Sequence, residues 1–193
     1  MTSISVPIYQ IKITLKHSKP NIWRRIEVPS NISFLQLHYC IQEAMGWYNC
    51  HLFQFIVKEA IAWTVDTIIA MPYDDDFNLN GDYKADETLI NKYLKVEKDK
   101  LIYEYDFGDG WEHDIVLEKI LQAQPDLAYP RLTAGKCACP PEDCGGIWGY
   151  YEMVKAINNP KHPNHDDMIE WIEADEWDVK EFDLPKEGVV LDM

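Results

Sequence analysis

The sequence predicts an α+β fold: a β-grasp-like roll in which a mixed or antiparallel sheet wraps one main helix, with C-terminal helices packed at one end. Three observations predict it. Two β-patterned runs near the start are joined by a Pro-Asn turn. One sharply delimited amphipathic helix follows them. A second pair of β-patterned runs then precedes an acidic, helical last quarter. With 193 residues, 47% of them hydrophobic, the chain is long enough for one core. No internal repeat or low-complexity linker divides it, so residues 1–193 read as a single domain whose acidic helical part begins at about 147.

Ile8, Ile11, Ile13 and Leu15 mark a strand over 8–16 with roughly period two. The turn at 17–21 leads into a strand over 22–28 that Pro29 stops, and the two form an antiparallel hairpin. Ser33 opens a helix, with Gln36 three residues on as in a capping box. Phe34, Leu37, Ile41, Ala44 and Met45 share one face, and Gly46 suits the position past the end. Residues 51–57 read as a strand apolar enough for burial on both faces. Residues 71–76 read as a loop and 87–94 as a short helix. Strands follow over 100–106 and 111–120, then a long loop over 125–146. Helices are expected at 148–158, with Tyr151, Val154 and Ile157 on one side, and after Asn164, with Met168, Ile169 and Ile172 inward. Trp177, Phe182 and Leu184 should dock the tail on the body.

The net charge is −15, unevenly spread: residues 1–60 hold six Lys/Arg and three Asp/Glu, residues 61–193 twelve and thirty. DNA affinity rests on neutralising phosphates, so direct high-affinity nucleic-acid binding is not expected. Such a surface suits cations and basic partners. The basic cluster Lys12, Lys16, Lys19, Arg24 and Arg25 reads as a solvated strand face. No apolar run approaches the ~20 residues of a membrane span, and the first residues lack a signal-peptide core. The expectation is a cytoplasmic protein whose partner is a protein or a small ligand.

Two segments carry candidate chemistry. In the first, 103–114, a two-residue turn at Asp109-Gly110 would set Asp106 opposite His113 on one face. A carboxylate orienting an imidazole is a common catalytic or metal-site arrangement, which makes Asp106, Asp109 and His113 the candidate catalytic set. A longer loop would set Trp111 or Glu112 opposite Asp106 instead. The plainer reading is a hairpin whose charges stabilise a tight turn.

The second segment holds three of the five cysteines, Cys137, Cys139 and Cys144. An odd count without a secretory signal argues against a disulfide framework. Cys40 reads as a core residue. Cys139 and Cys144 have a spacing zinc tolerates, with His165 or His113 to complete the shell and Cys137 peripheral. Free thiols are the plainer reading, and no cofactor is required. Trp23, Trp47, Trp111 and Trp148 sit at element ends; they line a pocket or, the reading preferred, belong to an aromatic core.

Several strings together carry a resemblance: 21–29 (Asn-Ile-Trp-Arg-Arg-Ile-Glu-Val-Pro), Leu37-His38, Met45-Gly46-Trp47, His51-Leu52-Phe53-Gln54-Phe55, 105–113 and 139–146, with Gly149-Tyr150 after. The chain resembles the Ri-plasmid ORF-three-like family over about residues 6–185. Some members of that family carry the label of resolvase-like passenger proteins of an insertion element. The resemblance implies an α+β roll and a cytosolic prokaryotic protein, often plasmid- or transposon-associated, and brings no established reaction. On it, Asp106, Asp109, His113, Cys139, Glu142, Asp143 and Cys144 are hallmarks without assigned roles. Trp23, Arg24, Arg25, His38, Trp47, His51, Gly108, Gly110, Trp111, Gly145 and Gly146 are further matched positions. Cys137 looks like an addition in this chain.

A serine recombinase needs a nucleophilic serine, several arginines and usually a helix-turn-helix. With three arginines and a charge of −15, the chain does not read as a recombinase in its own right. Phosphate-loop, His-Glu-x-x-His and Gly-x-Ser-x-Gly signatures are absent. A non-enzymatic binding or interaction module is the favoured reading. The alternative is a metal-assisted hydrolase using Asp106, Asp109, His113 and nearby acidic and cysteine residues.

Overall fold

The structure, a computed structural model, describes residues 6–58, 65–71 and 81–192. β1 (Ile8–Leu15) and β2 (Trp23–Pro29) form the expected antiparallel hairpin, Ile11 opposite Ile26. Strand alternation puts Ile11, Ile13, Leu15, Ile26 and Val28 in the core. Helix α1 (Phe34–Met45) has the reciprocal Ser33–Gln36 capping box, and Gly46 ends it in the left-handed conformation at φ 83°. Its buried face carries Phe34, Leu37, Cys40, Ile41, Ala44 and Met45, together with His38.

The remaining elements are β3 (Phe53–Val57), β4 (Thr67–Ala70), β5 (Tyr83–Lys84), β6 (Lys100–Tyr105), β7 (Trp111–Leu121), β8 (Arg131–Lys136), α2 (Gly146–Ile157), α3 (His165–Ile172) and β9 (Val189–Val190). Among the described residues, nine strands make one open sheet in the order β5-β4-β3-β6-β7-β1-β2-β8-β9. Among these nine strands every pairing is antiparallel except β4 with β5. The fold is thus α+β, a mixed and mostly antiparallel sheet with, among the described residues, three α-helices, two of them C-terminal.

Several expectations need correction. Segment 125–146 is not one loop: β8 lies inside it, paired to β2. Its Thr-Ala-Gly stretch lacks β-branched apolar alternation, so only the pairing reveals it. Strand β3 buries Phe53 and Phe55 but leaves Gln54 and Ile56 half-exposed, so it is covered mainly on one face. The expected helix over 87–94 shrinks to a single 3-10 turn, Ile90–Lys92. In α2 the fully buried face carries Tyr150, Met153, Ala156 and Ile157, and Tyr151 and Val154 pack half-buried against the same core. No α3 residue is fully buried, and Asn164 makes no side-chain cap. Met168, Ile172, Trp177, Phe182 and Leu184 do pack on the core. The loop read at 71–76 lies, past Met71, outside the described residues.

Arg24 is the sharpest correction, because it is 4% exposed rather than solvated. Its Nε donates to the Ala44 carbonyl at 2.9 Å. Its Nη1 lies within 3.1 Å of the carbonyls of Trp23, Lys136 and Cys137. The Phe182 ring covers it, 4.2 Å from ring centroid to guanidinium carbon. Burial pushes its pKa down, with partial compensation from Cys139 and Cys137. A planar fork of donors can close the end of α1, β2 and β8 together, which a lysine cannot. Arg24→Met should therefore cost about 3 kcal/mol, because buried carbonyls lose their donors. Urea unfolding at neutral pH measures this; a loss below about 1 kcal/mol would show that Arg24 is dispensable to the fold. Arg25 instead pairs with Glu118 at 2.6 Å, and it and Lys12 lie over the Trp23 ring.

Candidate functional site

The β6–β7 connection decides where the chemistry sits. Tyr105 pairs with Trp111 and Tyr103 with His113, leaving the loop 106–110 between the strands. Asp106 leaves the sheet in the left-handed region at φ 53°. Its carbonyl accepts from Gly110 N–H at 2.6 Å and its Oδ1 from Gly108 N–H at 3.0 Å. The expected Asp106–His113 pairing does not form, nor does Trp111 or Glu112 face Asp106. His113 lies fully buried with its ring edge-on to Trp47. Burial pushes its pKa down to about 4, offset in part by the carbonyls of Tyr103 and Trp111. Those carbonyls lie close without alignment, since neither ring nitrogen makes a hydrogen bond among the described residues.

A closed ring of hydrogen bonds holds the 49–52 segment. Asn49 N–H donates to Gln42 Oε1 at 3.0 Å, and Gln42 Nε2 donates to the Tyr103 hydroxyl oxygen at 2.9 Å. The Tyr103 proton then serves His38 Nδ1 at 2.8 Å, and His38 Nε2–H serves Asn49 Oδ1 at 2.6 Å. This circuit assigns the His38 tautomer and anchors Asn49, itself left-handed at φ 56°. Two residues on, His51 is aimed at Asp106.

The 139–146 loop docks on the same region. Trp47 Nε1–H donates to the Pro140 carbonyl at 2.9 Å, and Tyr48 N–H donates to Glu142 Oε2 at 2.7 Å. The Tyr105 hydroxyl donates to Glu142 Oε1 and accepts from Cys50 N–H at 3.0 Å. Gly145 N–H donates to Asp109 Oδ2 at 3.1 Å. Glu142 is thus held by Tyr48 and Tyr105, and Asp109 is a docking residue.

Three loops therefore meet. His51 Nε2 lies 3.2 Å from Asp143 Oδ1 and 3.7 Å from Asp106 Oδ2. Beside them is a cleft of about 350 Å³ lined by Asn49, Cys50, His51, Asp106, Phe107 and others. Sequence reasoning matched His51 and Asp143 to the family without setting them beside Asp106; their signal was only that each came from a different matched string. The other expected donors lie elsewhere. Cys139 and Cys144 are half-buried thiols pushed up to about 12 by burial. His165 Nδ1 is 2.9 Å from the Ala156 carbonyl. Among the described residues, only His51, Asp106 and Asp143 bring three potential metal-ligand atoms within 4.8 Å of one another. Trp47 and Trp111 are core residues, whereas Trp148 is 81% exposed.

A second concavity of about 450 Å³ lies between α2 and α3. Met153, Ala156, Met168 and Trp171 give it an apolar floor, and Asp143 and Glu152 bring carboxylates to its lining. Asp143 thus stands between the groove and the cleft.

The family model described as "Plasmid pRiA4b ORF-3-like protein" matches residues 7–186. An uncharacterised protein of Sinorhizobium fredii, y4hQ, is 35% identical over 174 residues, covering 89% of this chain and 84% of the relative. The crystal structure of a protein of unknown function from Methanosarcina mazei, MM3350, is similar at a TM-score of 0.79 and 35% identity. That match covers 93% of this chain and 96% of the other.

Proposed function

This chain belongs to the plasmid pRiA4b ORF-3-like family, and we propose that it is a binding module for a basic partner segment rather than an enzyme. The α2–α3 groove carries this reading: an apolar floor with acidic lining, on the most acidic part of the chain. Residues 147–193 hold twelve carboxylate side chains and four lysines. Trp171 in that groove is 45% exposed, an aromatic anchor of the kind interfaces use. The occupant is an amphipathic segment with apolar residues on one face and Lys or Arg on the other. The protein works in the cytoplasm of a plasmid- or transposon-bearing cell, and the sheet lying on α1 supports a β-grasp-like roll.

Calorimetric titration with a Leu/Lys amphipathic helical peptide tests the groove. Binding should weaken about tenfold between roughly 0.05 and 0.5 M salt, as screened charge pairs do. Trp171→Ala should weaken it by a further factor of about 10 or more. Equal binding of a Leu/Glu peptide of the same pattern, or indifference to Trp171→Ala, would remove the proposal.

The alternative, a metal-assisted hydrolase, draws support from the convergence of Asp106 with the 139–146 loop. His51 then stands where His113 was expected to act.

A further inference from the structure

We propose that His51, Asp106 and Asp143 form a divalent transition-metal site opening into the 49–52 cleft, with Asp143 shared with the lining of the α2–α3 groove. The three donors come from three loops that the hydrogen bonds above lock together. The 3.2 and 3.7 Å separations from His51 Nε2 are close to those of two donors sharing an ion about 2.0–2.2 Å from each.

The donor side chains are already oriented. Gly108 N–H occupies Asp106 Oδ1, which leaves Oδ2 as the oxygen turned to His51. Asp143 sits in the left-handed region at φ 59°, and its side chain is 71% exposed, giving an ion its entry path. His51 Nε2 is shut off from solvent and makes no hydrogen bond among the described residues. Its contact with Asp143 is thus close without being aligned as a hydrogen bond. An imidazole nitrogen with no aligned proton acceptor, facing two carboxylates, is suited to donate its lone pair to a cation.

One imidazole and two carboxylates favour Zn²⁺, Mn²⁺ or Co²⁺ over Ca²⁺ and Mg²⁺, which prefer all-oxygen shells. Three protein ligands leave a coordination position open toward the cleft, the arrangement of a site that exchanges water or ligand. The competing arrangement is His51 paired directly with the two aspartates, which binds no metal.

The test is titration of metal-free protein with Zn²⁺, Mn²⁺ and Co²⁺, read by calorimetry and by the visible spectrum of bound Co²⁺. One ion per chain is expected, with His51→Ala and Asp143→Asn each weakening it about 100-fold or more. Asp106→Asn tests the third ligand, and asparagine tolerates the left-handed backbone there. Circular dichroism at neutral pH confirms that each variant folds. Cys144→Ser should leave the affinity within about twofold, because that thiol lies outside the set. Absence of binding at roughly 100 μM metal would overturn the proposal. So would binding that survives His51→Ala and Asp143→Asn but is lost in Cys144→Ser, which moves the ion to the cysteine loop. His51 and Asp106 line the cleft and not the groove, so His51→Ala tests the metal apart from peptide binding, whereas Asp143→Asn also removes a carboxylate from the groove lining.

Discussion

Lowering the pH from about 7 to about 4.5 is expected to remove several kcal/mol of stability before most carboxylates titrate. The cause is a pair of buried neutral histidines. His38 and His113 are both held down to about 4, against an ordinary 6.5, with burial the largest cause in each. Because the unfolded chain takes up these protons near 6.5 and the folded chain only near 4, stability is complete above 6.5. It falls progressively as the pH drops through that interval. Each depression corresponds to about 3 kcal/mol, so the pair sets a ceiling of about 6. Glu112 and Glu118 have carboxyls held below 4.5 by Lys16 and Arg25, so their contribution is lost only at more acid pH.

The His38 half of the effect reaches the site. A protonated Nδ1 cannot accept from Tyr103, which breaks the circuit that anchors Asn49 ahead of His51. Urea unfolding at a series of pH values measures the slope, and His113→Phe should lower it by about half. Stability that is flat between pH 6.5 and 4.5 would mean that the buried imidazoles protonate without cost.

Gly146→Ala is expected to destabilise the protein by about 4 kcal/mol and to undock the cysteine loop. Gly146 has φ 67°, and a Cβ built there would lie 2.4 Å from the Asp109 carbonyl oxygen. The left-handed conformation alone costs an alanine about 1 kcal/mol. The rest comes from separating two backbones, since the clashing atom is no flexible side-chain end. Asp143 sits three residues away, so metal affinity should fall together with stability. Gly110→Ala is the control: it is also left-handed, at φ 66°, but a Cβ there meets nothing within 4 Å. It should cost only about 1 kcal/mol. Equal losses for the two alanines would show that conformation, not the close approach, makes Gly146 necessary.

What was legible in the sequence was local. The β1–β2 hairpin, α1 with Ser33, Gln36 and Gly46, and the existence of β6, β7, α2 and α3 follow from periodicity and capping within a few residues. The family was legible in strings of residues, and so was the list of matched positions. Tertiary structure decided their meaning. β8 has no internal signal and exists because β2 offers it an edge. Arg24 reads as a surface charge until three segments turn carbonyls toward it. A two-residue turn would make Asp106 and His113 partners, but the connection is five residues long, 106–110, which sends Asp106 out of the sheet and leaves His113 in the core. Asp143 and His51, 92 positions apart in the chain, come together because Trp47, Tyr48, Tyr105 and Asp109 pin the 139–146 loop. A site assembled from three loops is set by those long-range hydrogen bonds, and no spacing within one segment encodes them.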